Sequence, residues 1–184
     1  MSPSPNGRPT FGTLRLEVDR AGGGKETYTQ DIHSYLDNWY GVMRLIMHDN
    51  TSVTLTDTTG AGQTFRTSQN NSPWAGSSLE VQIQIGADGS SFSQSDSNLG
   101  GTFGTSNVGS STRENANRLV RHSASFAISS GNTIGETGIR WSGLQDTNSN
   151  NHDIQWERTV LGTPVSVSNG DTVSVTYEHT WGAP

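Results

Sequence analysis

The strongest constraint on this chain is a period-two alternation of apolar and polar residues that recurs along most of its length. Leu14, Leu16 and Val18 alternate with Arg15, Glu17 and Asp19. Val81, Ile83 and Ile85 alternate with Gln82 and Gln84, and Val173, Val175 and Tyr177 with Ser174 and Thr176. Successive side chains of a strand point to opposite faces, so each run specifies a half-buried strand. Gly22-Gly23-Gly24 and Gly86-Ala87-Asp88-Gly89 punctuate the runs as turns. Asn169-Gly170 stands between Val165 and Val167 on one side and Val173 and Val175 on the other, which predicts a closing hairpin.

Further strands are expected at Val53 and Leu55, over Leu119–Ile128 with Ala124, Phe126 and Ile128 inward, around Ile139 and Trp141, and around Ile154 and Trp156. One segment breaks the pattern. From Thr29 to His48 the apolar residues Ile32, Tyr35, Leu36, Trp39, Tyr40, Met43, Ile46 and Met47 fall at helical spacing, with Thr29 or Asp31 as the N-cap and Gly41 as a weak point. Residues 57–76 read as a polar hairpin or loop, and 86–112 as a long Gly/Ser/Asn excursion around Phe92, Leu99, Phe103 and Val108. Pro3, Pro5 and Pro9 make residues 1–10 an extended arm. The expected fold is mainly β: an antiparallel, jelly-roll-like sandwich of about eight strands over residues 11–184, with one packed helix and an N-terminal arm at 1–10.

Composition fits a thin core. Only 29% of residues are hydrophobic while glycine supplies 22, and a sandwich suits such a chain because each strand buries only alternate side chains. Charged residues are also scarce at 15%, which argues against disorder. A net charge of −6, one lysine and no basic run argue against a nucleic-acid partner. No segment has the apolar length of a membrane span, and nothing near the start resembles a signal peptide. Cysteine is absent, so neither disulfides nor thiolate metal sites enter.

The order of several segments resembles a family of small virion proteins of tailed phages, labelled as tail or structural proteins. The pieces are the helix from Asp31, the strand Val81–Gly86, the loop Ser93–Leu99, the strand Ser125–Ile128 and the segment Thr133-Ile134-Gly135-Glu136-Thr137-Gly138-Ile139. Glu157-Arg158-Thr159-Val160-Leu161 and the run Val173–Tyr177 complete the order. The likeness spans roughly residues 30–181, while 1–28 and 50–78 have no counterpart in it. It implies a non-catalytic assembly role in a virion, as a tail, fibre-attachment or head-decoration component forming a homo-oligomer with other virion proteins as partners. The expected interface residues are Pro3, Pro5, Arg8 and Pro9 of the arm, Phe92 and Phe103 of the long loop, and Glu136 and Arg140, with Glu136 either facing an Arg such as Arg140 of a neighbour or hydrogen-bonded to a nearby backbone turn of its own chain.

The residues carry no catalytic constellation. The five histidines lack H-E-x-x-H spacing, and no nucleophile elbow or phosphate loop is present. Asp146, Asn148, Asn150 and Glu157 stand at positions 1, 3, 5 and 12 of a calcium-loop pattern, so calcium is the one cofactor the spacing offers. Asn151 replaces the loop glycine, and the competing reading is a polar turn between two strands. The tryptophans Trp74, Trp141, Trp156 and Trp181 raise a second functional class, a carbohydrate-binding sandwich for host-surface recognition, which requires exposed rings.

Overall fold

The computed structural model describes residues 12–32, 36–47, 52–66, 80–114 and 119–180. Two antiparallel sheets form the body. The first runs β2-β1-β11-β8-β7, from β1 (Gly12–Asp19), β2 (Lys25–Ile32), β7 (Ser110–Glu114), β8 (Leu119–Ala127) and β11 (Thr172–Thr180). The second runs β10-β9-β5-β6, from β5 (Glu80–Gly86), β6 (Thr102–Asn107), β9 (Asn132–Gln145) and β10 (Asn151–Val167). A small hairpin, β3 (Ser52–Thr56) and β4 (Gly62–Arg66), stands beside them with the helix α1 (Asp37–Met47).

The alternation does what it predicts. Leu14, Leu16 and Val18 of β1, Val173, Val175 and Tyr177 of β11, and Ala124 and Phe126 of β8 turn inward against Ile83 and Ile85 of β5 and Ile139 of β9. Facing apolar sides drive this packing at roughly 25 cal/mol per Å² removed from water. A second, smaller core joins Val42 and Leu45 of α1 to Val53, Leu55 and Phe65 of the hairpin and to Leu144 and Ile154. Gly41 is what lets the helix sit there, because a Cβ at that position would collide with the Leu55 side chain. Asn38 ties the three parts together: its Nδ2 donates to the carbonyls of Thr56 and Gln155, and its Oδ1 accepts from the Thr56 amide.

Four expectations need correction. The helix begins at Asp37, and Thr29 to Ile32 belong to β2, where β1 supplies a ladder of hydrogen bonds that the helical pattern could not foresee. The excursion at 86–112 contains β6 and the start of β7, so the irregular parts are 87–101 and 108–109. The described residues hold eleven strands where about eight were expected. Most instructive is the Asn169-Gly170 turn. It closes no hairpin: Val165 and Val167 pair with Ile134 and Asn132 of β9, whereas Val173 and Val175 pair with β1 and β8.

That turn carries the chain from one sheet to the other. Asp171 organises it, accepting from the Ser168 and Ala21 amides and pairing with Arg20 at 2.8 Å. Gly170 has φ 89°, a left-handed conformation that costs other residues energy. Gly170→Ala should therefore lower stability by about 1 kcal/mol and the melting temperature by about 3 °C in a thermal scan.

Candidate assembly surface

Among the described residues β2 is an edge strand, paired only with β1. Opposite it, β10 leaves the register of its own partner: Val160 pairs with Glu136 and the next pair is Val165 with Ile134, so residues 161–164 swing free of β9. The sequence there is Leu161-Gly162-Thr163-Pro164, and proline cannot donate to a ladder. Between the two edges lies an open cleft of about 290 Å³. Leu14, Leu16 and Leu161 give it an apolar floor, and Tyr28 contributes a wall.

One side chain spans the gap. Gln30 Nε2 donates to the Val160 carbonyl at 2.8 Å, and the Gly162 amide donates to Gln30 Oε1 at 2.9 Å. The Gln30 side chain thus satisfies one carbonyl and one amide of the stretch of β10 that leaves its ladder. Comparison with family models, curated proteins and solved structures found no match. The local geometry must therefore carry the reading.

Of the expected interface residues, Pro3, Pro5, Arg8 and Pro9 lie outside the described residues. Phe92 is half-buried, and Phe103 packs partly buried against the main core. Glu136 does not face a neighbour: it is fully buried and pairs with Arg158 of its own chain at 2.6 Å. Burial pushes its carboxyl up, and the Arg158 guanidinium opposes that. Arg158 also reaches Asp96 at 2.5 Å and the Ser90 hydroxyl, so it pins loop 87–101 over the outer face of the second sheet. Arg140 pairs with Asp153 at 2.9 Å and donates to Gln82, both within the chain.

The calcium pattern does not assemble. Asp146 Oδ1 accepts the amides of Asn148 and Asn150, and its Oδ2 accepts the Asn150 side-chain amide, so the carboxylate caps its own turn. Glu157 lies about six residues along β10 from that turn, roughly 20 Å at strand spacing, inside the sandwich. No cluster of three acidic, histidine or cysteine side chains fit to hold a metal exists among the described residues. Asp57 caps the β3–β4 turn in the same manner as Asp146, and His152 lies between the two carboxylates at 3.3 and 3.2 Å. Asp57 is held at about 2: burial opposes ionisation, but the bonds from Thr59, Gln63 and Ala61 outweigh it.

The described tryptophans turn inward. Trp39, Trp141 and Trp156 stack on one another, with Trp39 and Trp156 buried and Trp141 partly so. Trp74 and Trp181 lie outside the described residues. Alternation could not foretell the cleft, because its lining draws on the longest of the three places where β10 departs from the ladder. Pro164 after Gly162 was the available signal.

Proposed function

We propose that this protein is a non-enzymatic structural component of a tailed-virus particle, working through contacts with copies of itself and with other virion proteins. The observation that supports this reading is the pairing of a free strand edge, β2, with an apolar-floored cleft beside it. Exposed edges recruit further strands, and proteins that do not assemble blunt or cover them. Here the edge is eight residues long, and the leucines that line the cleft beside it, Leu14, Leu16 and Leu161, are buried by the chain itself. The segment order of the phage virion family, set out above, points to the same class of role.

Light scattering on the purified chain tests the reading. The expected mass is a small multiple of 19.7 kDa, and deletion of residues 1–10 should lower it while leaving the melting temperature unchanged. A monomer at all concentrations, indifferent to that deletion, would count against self-assembly.

A further inference from the structure

We infer that the free edge of β2 docks antiparallel on the β2 edge of a second copy of this chain, in the register centred on Tyr28, so that the first sheets of the two copies run on as one. The inference rests on the assembly reading and names its partner. Three observations carry it.

The first is which edges stand open. β10 is covered along its outer edge, where the Leu36 and Thr58 amides donate to the carbonyls of Trp156 and Asp153, and the Asn38 side chain donates to that of Gln155. β2 is not. Among the described residues no backbone group of Lys25–Ile32 has a hydrogen-bond partner beyond β1, and this edge is eight residues long against six for β6 and five for β7. An open edge of that length is a template for another strand.

The second is which groups face that edge. The Arg20 amide donates to the Gly24 carbonyl at 3.0 Å and the Arg20 carbonyl accepts from the Gly23 amide at 2.9 Å, so Arg20 turns both backbone groups toward β2. Direction alternates along a strand, which sets Val18, Leu16 and Leu14, and with them their partners Glu26, Tyr28 and Gln30, in the ladder between β1 and β2. Lys25, Thr27, Thr29 and Asp31 therefore point their N–H and C=O groups at the open edge. Their side chains share the outer face of the sheet, since Tyr28 and Gln30 stand beside Leu16 and Leu14 on the inner one.

The third is self-complementarity. A two-fold axis through the joined sheet keeps inner face beside inner face, so facing residues must share a parity and the axis must pass through a residue. Centred on Tyr28, the ladder sets Lys25 opposite the partner's Asp31 and Thr27 opposite the partner's Thr29, each twice, which makes four hydrogen-bonded pairs. Centred on Thr27 or Thr29 it has three, and Lys25 faces no acid of β2. Opposite charges and paired threonines facing each other across strands attract. Lys25, the chain's single lysine, reaches Glu17 at 3.0 Å yet stays half exposed, and Asp31 meets no cation among the described residues. Each has room for the other.

The chain has no cysteine, which makes a crosslinking test clean. Thr27→Cys and Thr29→Cys, both at exposed positions, are made in separate full chains with different tags and oxidised alone and mixed. Facing residues of a hydrogen-bonded pair lie about 5.5 Å apart at Cα, within disulfide reach, whereas diagonal ones lie about 7–8 Å apart, beyond it. The mixture should therefore give a disulfide-linked dimer about ten-fold more abundantly than either variant alone. Asp31→Lys, which sets two ammonium groups face to face at both ends of the ladder, should weaken association about ten-fold by light scattering. An oligomer that forms no such crosslink and is indifferent to Asp31→Lys overturns this docking and leaves the assembly reading intact. Self-linking of Thr27→Cys or of Thr29→Cys above that of the mixture overturns the register and its charge pairing. A monomer with no crosslink overturns both readings.

Discussion

Replacing Arg158 by Met should destabilise the protein by about 3–5 kcal/mol and lower its melting temperature by roughly 10 °C. Glu136 is the reason. Its side chain is wholly buried, and the guanidinium of Arg158 is the cation it meets, at 2.6 Å. A carboxylate stripped of its partner in such a place must either stay charged without compensation or take up a proton, and both are costly. Glu136→Gln alone should cost less, because a neutral amide still accepts from Arg158, whose second partner Asp96 remains. The double variant Arg158→Met with Glu136→Met should recover most of the loss, since two apolar groups of similar volume leave no charge behind. Arg158 also holds Ser90 and Asp96, so amide exchange across residues 87–101 should speed up in Arg158→Met more than exchange in β11. A melting temperature within a degree of the parent protein would show that the pair does not bear on stability.

That loop shows how far a sequence can be read. Residues 86–112 look unstructured because Gly, Ser, Asn and Thr carry no periodicity, yet β6 and β7 form there on hydrogen bonds to β5 and β8. Backbone pairing needs no hydrophobic signature, and edge strands show least of it. The rest of the loop finds its order within the chain, from Arg158, and Leu99 is buried beneath it. By contrast Leu14, Val173 and Ile83 were legible at once, because alternation reports burial on one face. The Asn-Gly turn marks the limit of local signals. It correctly predicts a reversal with a left-handed glycine, but which sheet receives the next strand depends on partners more than a hundred residues away in β1. The same holds for Glu136, whose partner Arg158 lies 22 residues on and across a strand pair. Residue type gave the candidate ion, and only the register of β9 with β10 gave its counter-ion.

The register that pairs Glu157 with Ile139 also sets the protein's response to pH. Glu157 is fully buried between the sheets, its Oε1 accepting from the Thr159 hydroxyl and its Oε2 with no hydrogen-bond partner. Burial, opposed only by the Thr159 bond, pushes its carboxyl up to about 8 from an ordinary 4.5. The folded protein therefore keeps a proton that the unfolded chain loses above pH 4.5, and stability must fall as pH rises from there through about 8. Tyr177, wholly buried across the sheet interface and bonded to Thr137, is pushed up by burial and further by Glu157. His179 works in the opposite sense. Stacked on Tyr177 and tilted against Trp156, it is driven down by burial to about 3 from 6.5, so its contribution is complete above pH 6.5 and is lost as the pH falls toward 3. Between 4.5 and 6.5 the two slopes cancel, which places the stability plateau on the acidic side of neutrality. Each shift spans about 3.5 units, so each slope is worth up to about 5 kcal/mol over its window. Glu157→Gln should accordingly remove the decline from pH 6.5 through about 8 and extend the acid limb up to pH 6.5, as read from urea melts at stepped pH. An alkaline decline as steep in Glu157→Gln as in the parent protein would assign that limb to other groups. His179→Gln should flatten the acid limb and turn the plateau between 4.5 and 6.5 into a decline, because the Glu157 slope there is then unopposed.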